Sequence, residues 1–192
     1  MSDDLKRPSW DEYFLNVMRE VAKRSTCNRG KPGCVFVRDN QILATGYAGS
    51  PPGFPHCLDV GDMMEERIRF MNMNTIRKSD DIPKEYFNVT WNRNDEKLRY
   101  EKEPTQHCIR TIHAEMNAII QAAKCGISLD GATTYVSFTP CRNCAMALIS
   151  VGVKRVVCDN RYHSGQESEE MFKHVGIDIE FVNDEVLGYN NK

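Results

Sequence analysis

Four residues of this chain have types and spacings suited to chemistry at a metal. His113 and Glu115 stand two apart in TIHAEMNAII (111–120), and Cys141 and Cys144 stand three apart in TPCRNCAMAL (139–148). Cysteines at i and i+3 of a helix start share one face, so both sulfurs can reach one ion. Residues at i and i+2 do not face each other. That spacing makes Glu115 a poor co-ligand beside His113 and leaves its carboxylate available as a base. One neutral imidazole and two thiolates give three protein ligands. Tetrahedral zinc then keeps one open position, as a catalytic site requires and a structural site does not.

A lone Cys-x-x-Cys also reads as half a zinc ribbon or as a redox pair. A ribbon needs a second Cys-x-x-Cys, and the chain has none. The redox reading lacks a preceding strand in a thioredoxin-like context. Two thiolates cancel the formal charge of zinc, so a bound water is less acidified than in an all-histidine site. Two features compensate. Both ligand clusters open predicted helices, whose N-terminal partial charge offsets the thiolates, and Glu115 is placed to take the proton of the water.

The elements that must position these residues follow from the hydrophobic periodicity. Trp10, Tyr13, Phe14, Val17, Met18 and Val21 repeat at helical spacing, with Ser9 and Glu12 as a capping box, and the helix ends near Arg24. CVFVRDNQILATGY (34–47) predicts a hairpin turning at Asp39-Asn40. GYAGSPPGFPHC (46–57) is loop. A helix over His113 to Lys124 stops at Gly126, ATTYVSF (132–138) is a strand, and a helix starts near Cys141 and ends before Gly152. KRVVCD (154–159) is a strand, Ser164 and Glu167 open a helix that stops at Gly176, and the strand IDIEFV (177–182) closes the fold. The order predicts an α/β fold, a three-layer α/β/α sandwich around a mixed five-stranded sheet. Residues 61–106 change character. DMMEERIRFMNMNTIRK (62–78) predicts an amphipathic helix, and the charged, aperiodic text after it predicts loop. We read 61–106 as an insertion within one domain spanning 1–192.

The 192 residues carry a formal net charge of −2, with their basic residues scattered. A sequence-independent nucleic-acid binder needs a basic stripe, so no nucleic-acid partner is expected. The polar start MSDDLKRPSW is neither a signal nor a transit peptide, and no apolar run reaches membrane-spanning length. The expected compartment is the cytoplasm, where disulfides are rare. The eight cysteines then divide between metal and core. Cys34, Cys125 and Cys158 sit among small and apolar residues and are expected in the core.

The pattern His113-Ala114-Glu115 … Pro140-Cys141-Arg142-Asn143-Cys144 is the zinc deaminase signature. With RSTC (24–27), ILATGYAGSP (42–51), HC (56–57), HCIRTIHAEMNAI (107–119) and TPCRNCA (139–145), the chain resembles the deoxycytidylate (dCMP) deaminase family of the cytidine deaminase superfamily. The resemblance spans nearly the whole chain outside the insertion. It implies hydrolysis of dCMP to dUMP and ammonia, in service of thymidylate synthesis. The catalytic zinc would sit on His113, Cys141 and Cys144, with Glu115 passing protons from the water to N3 and the leaving amine. It implies a pyrimidine carbonyl hydrogen-bonded to the Ala114 N–H, and a 5′-phosphate sought at Arg24, Ser50 and Tyr162. A second, structural zinc would draw four ligands from Cys27, His56, Cys57, His107 and Cys108; the preferred set is Cys27, Cys57, His107 and Cys108. The loop Gly46-Tyr47-Ala48-Gly49 helps bind the activator dCTP and the inhibitor dTTP in regulated relatives. The family usually has Asn where this chain has Ala48, and alanine cannot make the sugar contact of that Asn. A homo-oligomer, a hexamer by resemblance, is expected. The alternatives are a zinc deaminase acting on another cytosine or adenine substrate, as nucleoside or nucleic-acid base, and a non-enzymatic zinc protein. An unliganded carboxylate beside the metal argues against the last.

Overall fold

Strands buried along most of their length and a tight turn build the centre of the fold. The computed structural model describes residues 7–70 and 100–187. Strand β1 (Gly33–Arg38) turns into β2 (Gln41–Tyr47) through Asp39 and Asn40, both with positive φ (52° and 58°). That is the two-residue turn expected for these residue types, because its twist matches the flanking strands. β1 also pairs antiparallel with β5 (Thr133–Phe138), and β5, β6 (Arg155–Tyr162) and β7 (Asp178–Leu187) run parallel. The sheet order is β2-β1-β5-β6-β7, the expected mixed five-stranded sheet.

Helix α1 (Trp10–Ala22) covers one face. Its start is capped as predicted, the Ser9 hydroxyl accepting from the Glu12 N–H at 3.2 Å. Phe14, Leu15 and Met18 pack on Val35, Val37, Tyr135 and Val157. Each such side chain contributes about 1.5–3 kcal/mol by leaving water. Arg155 fixes the rim of this layer. Its guanidinium donates to both Asp11 oxygens at 2.8 Å and to Glu180 at 2.7 and 2.8 Å, and the Tyr135 hydroxyl donates to Asp11 at 2.7 Å. The Arg155 hydrogen bond is the main reason the Asp11 carboxyl titrates below its ordinary value.

The other face carries α3 (Ala114–Cys125), α4 (Arg142–Ser150) and α5 (Gln166–His174). Ala114, Ala118, Ala122, Ala145, Leu148 and Phe172 pack there on Cys34, Phe36, Val136, Val156 and Cys158. Cys34 and Cys158 are core residues as expected. Cys125 is not: it ends α3 in solvent, beyond the helix face that meets the sheet. The cap of α5 also differs. Gly165 occupies it and no side chain caps the helix, so Ser164 does not complete the predicted box. Gly165 lies where a Cβ would meet the Thr139 side chain at 2.6 Å. That close approach sets the start of α5.

Two glycines let the helices reach the sheet. Gly33 and Gly46 occupy successive pairs of the hairpin, Gly33 opposite Tyr47 and Cys34 opposite Gly46, so they face opposite sides. A Cβ on Gly33 would meet the Met18 carbonyl of α1 at 2.7 Å. A Cβ on Gly46 would collide with the Ala114 carbonyl oxygen and the Ala118 nitrogen of α3.

The chain divides into two compact units, 1–63 with 110–192, and 64–109. In the smaller unit, β3 (Met64–Phe70) pairs antiparallel with β4 (Tyr100–Cys108). This corrects the helix expected over 62–78 for its described part. MEERIRF reads as a helix face and also, from Arg67 to Phe70, as a strand alternating Arg with Ile and Phe. Pairing with 100–108 selects the strand. Residues 71–99, where the predicted loop falls, lie outside the described residues. The short helix α2 (Cys57–Val60) belongs to the larger unit.

Substitution Gly46→Ala puts a methyl group against helix backbone that cannot swing aside. A loss of about 1–3 kcal/mol in unfolding free energy is expected, the range for overpacking. Urea melts of the two proteins measure it. A variant as stable as the parent would show that α3 tolerates a wider separation from β2.

Candidate active site

Two helix N-termini meet where the sheet strands end. His113 is the N-cap of α3 and Cys141 the N-cap of α4, both in extended backbone, and Cys144 lies one turn into α4. Neither cap residue uses its side chain to bond its own helix. The Nδ1 of His113 lies 3.4 Å from the Cys141 sulfur and 3.5 Å from the Cys144 sulfur. Among the described residues, this is the group of three metal-capable side chains whose ligand atoms all lie within 4.8 Å of one another. One imidazole nitrogen and two sulfurs converging in this way are a soft-borderline donor set that fits zinc.

The electrostatics are those of a site that trades protons for a cation. Cys141 is pulled down to about 3, by hydrogen bonding from Cys144 and then from His113. Its position at a helix N-terminus works in the same direction. His113 is pushed up to about 9, mainly by the hydrogen bond to Cys141. Cys144 is pushed up because it shares its proton with the Cys141 sulfur in a buried place. Ligation needs a neutral imidazole and two thiolates, so zinc must displace the protons held by His113 and Cys144.

Glu115 is buried, at 8% exposure, one residue past Ala114 at the start of α3. Burial raises its pKa, while the nearby His113 charge and a hydrogen bond from Cys144 oppose the rise. A carboxyl that holds its proton more tightly than an exposed one is suited to accept and return protons near neutral pH.

The other expected residues divide. Ala114 is buried as the first residue of α3, beside the metal ligands. Ser50 is half-buried, and its hydroxyl oxygen is enclosed with no hydrogen-bond partner among the described residues. Tyr162 ends β6 and is buried. Burial raises its phenol, a hydrogen bond with Ser164 lowers it, and the charge of Arg29 lowers it further. Its N–H donates to Thr139 Oγ1 at 3.1 Å, which ties the end of β6 to the turn before Cys141. Arg24 is exposed in the turn after α1. Gly46, Tyr47 and Gly49 form the end of β2 and the turn after it, with Ala48 buried. Gly46 lies beneath α3, and Gly49 pairs with Ile112 in an antiparallel bridge. Cys27 and Cys57 are buried in the larger unit, and Cys108 is buried at the end of β4 in the smaller one. His56 caps α2 in an exposed position. The side chain of His107 lies outside the described residues.

Three contributors are not apparent from the one-dimensional pattern. Arg29 is half-buried, pairs with Asp62 at 3.5 Å and lies near Tyr162. Thr139 precedes the Pro-Cys pair and looked like a mere turn residue. Asn117 sits in a helix for which asparagine is a poor former, and that mismatch is the one signal the sequence offers.

A buried carboxyl next to a His-Cys-Cys cluster, at the N-termini of two helices on a mixed sheet, defines a zinc-dependent hydrolytic site. The family described as the cytidine and deoxycytidylate deaminase zinc-binding region matches residues 8–160, and the chain belongs to that family. It is 34% identical over 178 residues to ComE operon protein 2 of Bacillus subtilis (strain 168), covering 93% of this chain and 74% of that one. It is 31% identical over 153 residues to the deoxycytidylate deaminase of Mycobacterium phage D29, covering 80% of this chain and 96% of that one. The crystal structure of dCMP deaminase from cyanophage S-TIM5 in complex with dCMP and dUMP shares the fold. Its TM-score is 0.61 at 22% identity, over 92% of this chain and 99% of that one.

Zinc affinity should rise with pH by about ten- to a hundredfold per unit between pH 6 and 7.5, since one or two protons must leave for each ion bound. Competition with a chromophoric chelator at several pH values measures this. A flat profile would mean that the three ligands are already deprotonated.

Proposed function

We propose that this protein deaminates dCMP to dUMP by hydrolysis, releasing ammonia. The observation that carries the reading is the buried Glu115 carboxyl beside the converging His113, Cys141 and Cys144. A structural metal site has no use for such a carboxyl. Zinc held by those three residues would supply a Lewis acid that lowers the pKa of a water molecule. Glu115 accepts a proton from the attacking water and delivers protons to N3 of the ring and to the departing amine. The C4–N bond breaks, a C4–O bond replaces it, and no net proton is consumed. The Ala114 N–H, at the N-terminus of α3, donates to the pyrimidine carbonyl and holds the ring in place.

The deoxynucleotide preference draws on the D29 relative, a deoxycytidylate deaminase by name, and on the loop Gly46–Ser50. Ser50 supports a phosphate role through its enclosed hydroxyl, and Tyr162 through its phenol near Arg29. Arg24, exposed to solvent, can fold over the phosphate from outside. Regulation by dCTP and dTTP, a homo-oligomeric assembly and a second, structural zinc complete the reading. The thiolate ligands call for a reducing compartment, the cytoplasm. No helix among the described residues is long and apolar enough to cross a membrane.

Ammonia release from dCMP, CMP, cytidine and a cytosine-containing oligonucleotide, with and without the two triphosphates, tests the substrate. dCMP should react fastest, and dCTP and dTTP should move its rate in opposite directions. Equal rates on cytidine and dCMP would remove the phosphate from the argument. Glu115→Gln tests the base. It should hold as much zinc as the parent, two ions per chain if the second site is filled, and lose at least about a hundredfold in kcat, the lower range for a general acid–base. Turnover at the parental rate would take Glu115 out of the mechanism.

A further inference from the structure

We propose that Asn117 is a positioning residue that locks the Gly46–Ser50 loop to the start of the metal-binding helix. Its side-chain amide donates to the Tyr47 carbonyl at 2.8 Å and reaches the Ile112 carbonyl at 3.5 Å. Both partners are backbone acceptors, so the amide must present its NH2 group, and a carboxylate there would be repelled by both. Its backbone N–H donates to the His113 carbonyl at 2.9 Å, closing the first turn of α3. One residue therefore touches the backbone of His113, of Ile112 just before it, and of Tyr47 at the end of β2.

A second connection lies alongside. Gly49 and Ile112 exchange both backbone hydrogen bonds, Ile112 N to Gly49 O at 2.9 Å and Gly49 N to Ile112 O at 3.2 Å. The Ile112 carbonyl is thus shared between the Gly49 amide and the Asn117 side chain. Thr26 N and the Ser25 hydroxyl in turn hold the Ala48 carbonyl at 3.0 and 2.9 Å. The Ala48 side chain, small and buried, contributes no polar group to this loop. The amide of Asn117 and the Gly49–Ile112 pair therefore together hold the loop, where the substrate is read, against the helix start, where zinc and Glu115 act. That explains a weak helix former in the first turns of α3.

The inference rests on the deaminase reading for its kinetic consequence and on the geometry alone for its physical one, so the experiment reads both. In the full-length, zinc-loaded protein, Asn117→Leu removes the donors at similar volume and Asn117→Gln retains them on a longer arm. Asn117→Leu should speed hydrogen exchange at the Gly49 and Ile112 amides by about tenfold, the size of one net hydrogen bond, and leave the Val136 amide of β5 unchanged. It should raise KM for dCMP by about tenfold with kcat within about threefold of the parent and zinc content unaltered. Asn117→Gln should recover much of both effects. Parental exchange at Gly49 and Ile112, or equal loss of protection at Val136, would overturn the clamp. A fall in kcat with KM unchanged would overturn its role in positioning substrate. Failure of the parent to deaminate dCMP would count against the proposed function alone, because the exchange result would still decide the clamp.

Discussion

The contact on which this site depends is between backbones. Helix α3 lies so close to β2 that its Ala114 carbonyl and Ala118 amide occupy the space a side chain at position 46 would need. No other residue type permits that approach without moving the helix. Because His113 caps α3 and Glu115 lies in its first turn, the distance from strand to helix sets where that imidazole and that carboxyl lie. Gly33 performs the matching task for α1 on the opposite face. The hairpin is thus thinned at two successive positions, once on each side, and the three layers close around it.

With that distance set, electrostatics does the rest. The N-termini of α3 and α4 converge, and each brings partial positive charge to a place that holds a thiolate. Cys141 is depressed by hydrogen bonding from Cys144 and then from His113, and the His113 contact to Cys141 is what mainly elevates His113. Glu115 experiences the opposite influence, since burial favours its protonated form. One small region therefore keeps a sulfur ionised and a carboxyl ready to carry a proton.

The polar contacts around the site serve geometry more than stability. Thr139 ties β6 to the turn before Cys141, and Arg142 of α4 meets Glu167 of α5 at 2.7 Å on the surface. An exposed pair of that kind contributes little to stability. The Arg155, Asp11, Glu180 and Tyr135 network, by contrast, joins α1 to three strands through several charge-assisted hydrogen bonds. It holds down the helix layer farther from the chemistry.

The zinc ligands, the candidate base, the hairpin turn at Asp39-Asn40 and the order of the elements could all be read from the sequence. Each is a local property: a spacing along a helix, a capping residue, a period of two or of 3.6. What the sequence could not show depended on distant partners. Gly46 looked like part of a ligand loop, and only the helix packed over it reveals that its missing side chain is its function. Met64–Phe70 fits a helix and a strand equally well by pattern, and pairing with Tyr100–Cys108 decided for the strand. Cys125 has core neighbours in sequence yet faces solvent, because α3 turns that side away from the sheet. Chemistry that lives in residue type and short spacing is therefore determined by the sequence alone. The distances at which that chemistry works were decided only when strand, helix and loop met.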